Sequence, residues 1–108
     1  MKMAMLIEYD NPKDEVRIKK VYEQDDLVTP FWQKKVKEGL VKNLSNWADN
    51  TGHIIIFVEF ESGEKLGKFL SDGDFHQIAM KAAESVDNLT YRVLRPAVHA
   101  QTGKPMEL

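Results

Sequence analysis

The chain of 108 residues carries 15 basic and 17 acidic side chains, so its net charge is −2, and 43% of its residues are hydrophobic. This length is typical of one domain with a modest core. Residues 1–50 hold 9 bases and 9 acids, and residues 51–108 hold 6 and 8. This even spread argues against nucleic-acid and membrane-surface binding. The absence of cysteine excludes disulfides, zinc–thiolate sites and thiol nucleophiles.

A first strand is predicted at Met3–Tyr9, and it is apolar on both faces for most of its length. Its apolar run is too short for a signal peptide or a membrane span. We therefore expect a cytoplasmic protein that does not enter a membrane. The turn residues Asp10–Asp14 end the strand.

Residues 15–28 fit two interpretations. Their apolar residues recur at a helical spacing, but they fit a strand nearly as well, and we prefer the helix. Thr29 followed by Pro30 is typical of an N-cap and a first helical position. A helix is therefore predicted over residues 30–38, and Gly39 is a natural stop for it.

Two strands joined by a tight turn are predicted next, at residues 41–49 and 53–61. The second contains Ile54–Val58, five consecutive apolar residues of which four are β-branched. Because both of its faces are apolar, it is predicted to be a buried central strand. The turn residues Asp49–Gly52 predict a hairpin with a two-residue loop.

The length of that loop determines which residues of the hairpin face each other. The predicted facing pairs are Trp47 with Ile54, Leu44 with Phe57, and Lys42 with Glu59. Trp47 is thus expected on the wholly apolar face of the third strand and Leu44 on the opposite face. Lys42 and Glu59 are expected to form a favourable charge pair.

A helix in two parts is predicted after the third strand. Leu66, Phe69 and Leu70 belong to the first part, and the run Ser71–Asp74 interrupts the helix. Asp74, followed three residues later by Gln77, is a capping-box pattern for the second part. Its apolar stripe consists of Phe75, Ile78, Ala79, Ala82 and Val86.

The last strand is predicted at Leu89–Leu94, and Pro96 ends it. We expect one domain over residues 1–96. Residues 97–108 are expected to form a tail that is loosely ordered or packed against a neighbouring molecule.

The predicted element order, β-α-β-β-α-β, is that of the ferredoxin-like α+β fold, with a four-stranded antiparallel sheet and the first and third strands in its centre. Two helices cover only one face of such a sheet. The other face would expose Leu44, Ile55 and Phe57. Each of these side chains that stays in contact with water lacks the stabilisation that burial would give, about 1.5–3 kcal/mol. We therefore expect a homodimer in which two sheets pack through these faces with twofold symmetry.

Several short segments carry a family resemblance. They are Gly39 after the first helix, Trp47 near the end of the second strand, Phe57–Ser62 leading into a helix, Ser71–His76, and Tyr91–Pro96. Together they resemble the dimeric α/β-barrel superfamily, in its branch similar to antibiotic biosynthesis monooxygenases. The resemblance implies a ferredoxin-like dimer. Members of this kind include cofactor-independent monooxygenases that form quinones, haem-degrading monooxygenases, and proteins without an assigned activity.

His76 is the candidate catalytic residue, because the second helix would place it beside Phe75 near a pocket between helices and sheet. The alternative is a surface histidine that is hydrogen-bonded to water or to a neighbour. The resemblance implies that haem-degrading relatives use an asparagine on the first strand, a tryptophan on the third strand and a histidine on the second helix. Only His76 is approximately placed for that set, so haem degradation is disfavoured.

Trp32, Trp47 and Tyr91 are the candidate ligand-binding residues, since aromatic walls and a phenolic hydroxyl suit a planar ligand. The alternative is that they are core or interface residues. The histidines are scattered, so no metal site is predicted, and no sequence feature calls for a cofactor.

The sequence thus predicts a small homodimer that binds an apolar or aromatic small molecule in a pocket between helices and sheet. The alternative is a cofactor-independent monooxygenase of the same superfamily. The sequence leaves open whether the protein is an enzyme.

Overall fold

The computed structural model describes residues 2–106. Its elements are β1 (Met3–Asp10), α1 (Glu15–Lys37), β2 (Asn43–Ala48), β3 (Ile54–Phe60), α2 (Gly63–Leu70), α3 (Gly73–Ser85) and β4 (Asp87–Leu94). The strands form one antiparallel sheet in the order β2-β3-β1-β4. The prediction of a ferredoxin-like α+β fold with β1 and β3 in the centre is confirmed. Residue 1 of the predicted domain and residues 107–108 of the predicted tail lie outside the described part.

Helix α1 begins earlier than the Thr29-Pro30 pair indicated. Asp14 is its N-cap, and the Asp14 Oδ1 atom accepts a hydrogen bond from the Arg17 backbone N–H at 2.9 Å. The preference for helix over strand in residues 15–28 is confirmed. The prediction that a helix starts at Pro30 is wrong, because α1 passes through this residue without a break. The φ angle that proline imposes is helical, so the cost of Pro30 is one missing backbone hydrogen bond and local crowding.

The end of α1 is as predicted, because Gly39 adopts a φ of 77°, a left-handed conformation that glycine tolerates best. One turn earlier, Lys35 is almost completely buried, and its Nζ atom lies 2.6 Å from Asp72 Oδ2. Asp72 is also the N-cap of α3, since its Oδ1 atom accepts from the backbone N–H groups of Asp74 and Phe75. The capping-box prediction for Asp74 is therefore wrong by two residues, and the buried pair joins α1 to the start of α3.

The β2–β3 hairpin differs from the prediction by one residue. Its loop contains three residues instead of two, and the last of them, Gly52, has a φ of 86°. The Asp49 side chain organises this loop, since its Oδ1 atom accepts from the Thr51 backbone N–H at 2.8 Å and from the His53 backbone N–H at 3.1 Å. Such a three-residue loop with a left-handed residue at its end is a standard alternative to the two-residue turn.

The extra loop residue moves every side chain of β2 to the opposite face. Trp47 pairs with Ile55, and Leu44 pairs with Val58. Leu44 therefore faces the helices, and Trp47 faces away from them, which reverses both predictions. The predicted pair of Lys42 with Glu59 is also wrong, because Glu59 instead makes an ion pair with Lys2 at 3.3 Å.

The core lies between the helices and one face of the sheet. It consists of buried side chains from every element except β2 and β4, together with Val41 just before β2: Met5, Ile7, Phe31, Trp32, Val41, Val58, Phe60, Leu66, Phe69 and Phe75. The other face of the sheet, which we call the open face, is covered by no helix. Its residues are Ala4, Leu6 and Glu8 of β1, Asn43, Ser45 and Trp47 of β2, Ile55, Phe57 and Glu59 of β3, and Thr90, Arg92 and Leu94 of β4.

The carboxy-terminal segment, as far as residue 106, folds back on itself. Val98 and Pro105 form an isolated bridge, and Gly103, with a φ of 66°, lies at the turn between them. Val98 and Met106 are exposed. In the described part of the chain, no helix combines the length and the apolar character needed to cross a membrane.

Candidate functional site

A cleft opens on the helix face of the sheet, because α1 does not cover the edge strand β2. The larger part of it, which we call the outer groove, has a volume of about 850 Å³. One face of α1 forms a wall and the helix side of β2 and β3 forms the floor. The groove is lined by Tyr9, Asp25, Val28, Thr29, Trp32, Gln33, Val36, Lys37, Lys42, Asn43, Leu44, Asn46, Trp47, Ala48, Ile54 and Ile56.

A second, smaller cavity of about 90 Å³ lies deeper, between α1, α3 and the sheet. We call it the inner pocket. Both cavities share Tyr9, Asp25, Val28, Trp32 and Ile56 in their walls. The outer groove and the inner pocket are therefore neighbouring parts of one cleft, and this cleft occupies the place where the sequence predicts a pocket between helices and sheet.

Two polar groups lie where the two cavities meet. Burial and the negative charge of Asp25 raise the pKa of the Tyr9 hydroxyl above its ordinary value. Tyr9 is therefore a neutral hydrogen-bond donor at physiological pH. Asp25 is exposed and borders both cavities, so its carboxylate is available to accept a hydrogen bond from a bound molecule.

Trp32 is the one candidate residue that borders both cavities. Its ring is only 8% exposed and stacks on Phe69 with the ring centroids 5.5 Å apart. Tyr91 belongs to the inner pocket and makes an edge contact with Phe75 at 6.0 Å. Burial raises the pKa of the Tyr91 hydroxyl as well. The structure thus brings Trp32 and Tyr91 to one cavity.

Trp47 and His76 are placed differently. Trp47 borders the outer groove, but its pairing with Ile55 puts it on the open face, where it is 65% exposed. It does not form an aromatic wall together with Trp32. His76 lies on the surface of α3, with its Nε2 atom 2.7 Å from the carbonyl oxygen of Leu70. It lines neither the outer groove nor the inner pocket.

A polar cluster lies at one end of the open face, around His53. The His53 Nδ1 atom is 2.7 Å from Asp10 Oδ1, and its Nε2 atom is 3.5 Å from Glu8 Oε1. Arg92 donates to Glu8 at 2.8 Å, and Asn88 donates to Asp10 at 2.8 Å. Every polar group of this cluster has a partner. Within residues 2–106 no group of three or more histidine, aspartate or glutamate side chains is arranged to hold a metal ion.

The cluster makes folding stability depend on pH. The hydrogen bond to Asp10 raises the pKa of His53 above its ordinary value of 6.5, and the charges of Asp10 and Asp49 and the contact with Glu8 act in the same direction. A raised pKa means that the folded state favours the protonated ring. The stabilisation by His53 is therefore complete below about pH 6.5, and it is lost as the pH rises through the raised pKa.

We expect the stability difference between the wild type and His53→Gln to be constant below about pH 6.5 and to shrink as the pH rises above it. Urea unfolding of both proteins at one protein concentration measures it. The pKa of Asp10 is lowered, first by its hydrogen bond from Asn88, so Asp10 stays ionised across this range and contributes no slope of its own. A difference that is constant with pH would contradict the assignment.

Tyr9 and Asp25 were not among the residues predicted for the site. The helical spacing Asp25, Val28, Trp32 and Val36 marks the face of α1 that lines the groove. This spacing is visible only when residues 15–37 are taken as one helix. The predicted break at Pro30 concealed it.

No protein-family model and no curated protein matches the sequence. Several solved structures share its fold. A conserved protein from Methanosarcina mazei Go1 is 13% identical with a TM-score of 0.70, over 88% of this chain and 92% of that one. A Deinococcus radiodurans protein, provisionally described as an antibiotic biosynthesis monooxygenase, is 12% identical with a TM-score of 0.66, over 92% and 95%. A dimeric protein of unknown function and ferredoxin-like fold from Bacteroides fragilis is 10% identical with a TM-score of 0.62, over 87% and 95%.

These structural similarities confirm the fold of the superfamily that the sequence motifs resemble. Because the sequence identities are so low, the similarities show the fold alone. Fold and cleft together define the class: a ferredoxin-like α+β protein with an apolar cleft between its first helix and the edge of its sheet, and with an uncovered sheet face on the other side.

Proposed function

We propose that this protein binds a small apolar or aromatic molecule in the cleft between α1 and the sheet, and that it does so as a twofold-symmetric homodimer. The observation that carries the proposal is the cleft itself. Its outer groove and inner pocket share walls at Val28, Trp32 and Ile56 and a pair of polar groups at Tyr9 and Asp25. An apolar cavity with a few convergent polar groups is the usual form of a small-molecule site.

The size of the cleft favours a ligand-binding site over a region of imperfect packing. The outer groove, at about 850 Å³, falls within the range of ligand pockets, which is roughly 300–1,000 Å³. Its floor includes Leu44, Ile54 and Ile56, whose half-buried side chains remain in contact with water. A ligand that covers these side chains gains binding free energy of roughly 25 cal/mol for each Å² of apolar surface removed from water.

The open face supports self-association. Leu6, Ile55 and Phe57 are only half-buried there, and Trp47 is exposed beside them. Contiguous apolar patches of this kind on a sheet are covered by a second layer in stable proteins. The dimeric neighbour from Bacteroides fragilis supports a second copy of the chain as that layer. Such a dimer leaves most of the cleft open, because its sheet-side lining lies mainly on the helix side of the sheet and only Asn43 and Trp47 reach it from the open face.

Binding is tested with 1-naphthol as the probe and Trp32 as the reporter, in a Trp47→Phe background that leaves one tryptophan. We expect saturable quenching of Trp32 fluorescence. Ala48→Phe fills the floor of the groove and should weaken binding about tenfold, since lost contact of this size is worth ~1–3 kcal/mol.

Ala83→Phe is the matched control, because the same substitution on the exposed surface of α3 does not touch the cleft. Its affinity should equal that of the parent. Quenching that does not saturate, or equal affinities of the two phenylalanine variants, would contradict the proposed site.

A second candidate function is cofactor-independent oxygenation, in the same cleft, of a ligand that has an acidic ring CH₂ group, because Asp25 could accept a proton and Tyr9 could donate a hydrogen bond there. A solved neighbour with a TM-score of 0.56 is described as an antibiotic biosynthesis monooxygenase. In this reaction Asp25 removes a proton from the substrate, the substrate carbanion reduces O₂, and a ring CH₂ becomes C=O with release of water. His76, the catalytic residue expected from sequence, is outside the cleft, so the proton transfer is assigned to Asp25.

Oxygen uptake with anthrone distinguishes the two functions. As an enzyme, the protein consumes one O₂ for each anthraquinone formed, and Asp25→Asn removes this activity while 1-naphthol still binds. As a binding protein, it binds 1-naphthol without accelerating oxygen uptake.

A further inference from the structure

The outer groove has two chemically different ends. Helix α1 and strand β2 run in opposite directions along it, from Asp25 to Lys37 on the helix and from Ala48 to Lys42 on the sheet side. From Asp25 to Lys37 the helix rises by twelve steps, about 18 Å, and from Ala48 to Lys42 the strand side extends by six steps, about 20 Å. The two walls of the groove therefore have nearly the same length. Each wall carries a lysine at the same end.

The end beside Tyr9 is acidic. Asp25 is the charged residue in the groove lining there, and its charge adds to the effect of burial in raising the pKa of the Tyr9 hydroxyl. An anion placed at this end would be repelled by the carboxylate.

The opposite end is basic. Among the residues that the structure describes, Lys37 and Lys42 make no ion pair, whereas the neighbouring Lys34 and Lys35 are held by Asp74 and Asp72. The carbonyl end of α1 adds a partial negative charge of about one half at this place. The pKa of Glu61 is lowered first by its pairing with Lys65 at 3.1 Å and then by the charge of Lys42, so this carboxylate lies near Lys42 but is already paired with Lys65. The charges of Lys37 and Lys42 therefore exceed the partial charge of the helix end, and the net field at this end attracts an anion.

The stretch between the two ends is apolar. Val28, Trp32 and Val36 follow one another along the helix wall, and Leu44 and Ile56 lie on the floor. A ligand that is complementary to the groove along its whole length therefore has an apolar body and one anionic group. The opposite charges at the two ends of the groove define the orientation of this ligand.

We propose that the outer groove selects an amphipathic anion, a molecule with an aromatic or aliphatic body and a carboxylate that lies between Lys37 and Lys42. The inference rests on the proposed function, since it specifies the ligand class of the same cleft. The apolar body contributes affinity, and the two lysines contribute the preference for negative charge and the direction of binding.

Three naphthalenes of nearly equal shape test the charge preference: 1-naphthoate, 1-naphthol and 1-naphthylmethylamine, which are anionic, neutral and cationic at pH 7. Trp32 fluorescence in the Trp47→Phe background measures each affinity. We expect 1-naphthoate to bind about fivefold more tightly than 1-naphthol and the amine to bind most weakly, because exposed ion pairs contribute modestly. The advantage of 1-naphthoate should disappear in about 0.5 M salt.

The double variant Lys37→Glu/Lys42→Glu should weaken 1-naphthoate binding at least about tenfold and change 1-naphthol binding less than about twofold. Lys19→Glu/Lys20→Glu carries the same charge change on the exposed surface of α1, outside the groove, and should behave as the parent.

The outcomes separate the two proposals. If 1-naphthol and 1-naphthoate bind equally and the Lys37/Lys42 variant changes neither, the charge preference is wrong and the apolar site stands. If none of the three probes gives saturable quenching, the proposed function itself fails. If both lysine double variants weaken 1-naphthoate equally, the effect comes from net charge and the assignment to this end of the groove is overturned.

Discussion

Replacing Phe57 with glutamate is expected to convert the proposed dimer into a monomer. Phe57 lies in the middle of the open face, opposite Leu6 of β1 and Ser45 of β2. In a dimer formed through this face, the new carboxylate would be buried without a partner, which costs several kcal/mol. The dissociation constant should rise more than about 100-fold.

Sedimentation velocity at micromolar concentration measures this change, and Val16→Glu is the control. Val16 is 70% exposed on α1, on the helix side of the molecule, so the same gain of charge should leave the dimer intact. Because Phe57 also reaches water in the single chain, Phe57→Glu should remain folded, which circular dichroism checks. A wild type that is monomeric at these concentrations, or a dimeric Phe57→Glu, would contradict dimerisation through the open face.

Phe69→Ala is expected to have the largest effect on stability. The Phe69 side chain is completely buried. Its ring lies within contact distance of four other aromatic rings, with centroid separations of 6.1, 5.5, 5.3 and 4.5 Å to Phe31, Trp32, Phe60 and Phe75. Removing a buried phenylalanine costs about 3–5 kcal/mol, because contacts are lost and a cavity remains.

Urea denaturation at one protein concentration measures the loss, and Met80→Ala is the comparison. Met80 is 69% exposed on α3, so its truncation should cost less than about 0.5 kcal/mol. Phe69 also supports the Trp32 ring that forms a wall of the cleft. A surviving Phe69→Ala protein should therefore bind 1-naphthol more weakly. Equal costs for the two variants would show that the aromatic cluster is not the centre of the core.

The two results bear on different faces of one sheet. The aromatic cluster holds the helices against one face and forms the back of the cleft. The open face has no such cover within the described chain. The proposed ligand site thus depends on one face of the sheet and the proposed dimer on the other, so variants in the centre of one face are expected to leave the property of the other face intact.

Local chemistry was enough to predict the element types and the sheet order. Ile54–Val58 has no polar residue to expose, so it had to be a central strand, and the β-α-β-β-α-β order then restricts the topology. Gly39 as the end of α1 also followed from local chemistry, because the left-handed conformation that it adopts there strongly favours glycine. The core residue Phe75 followed from its helical stripe.

Two features were predicted wrongly from the sequence, because local signals competed there with packing. Thr29-Pro30 is a good helix start, but a proline is tolerated inside a helix whose neighbouring turns are held by the core. Asn50–Gly52 fits a two-residue or a three-residue loop, and the hydrogen bonds of Asp49 select the longer one. The one additional residue in the loop places Trp47 on the open face instead of the helix side of the sheet.

The cleft itself depends on long-range geometry. No pattern along the chain places Asp25 near Tyr9, or Lys37 across a groove from Lys42, because these neighbours come from different elements brought together by folding. Residue spacing dictates which side chains share a face of one helix or strand. The distance and angle between α1 and β2 depend on packing throughout the domain. The separation of these two elements creates the cleft, because neither surface forms a cavity by itself.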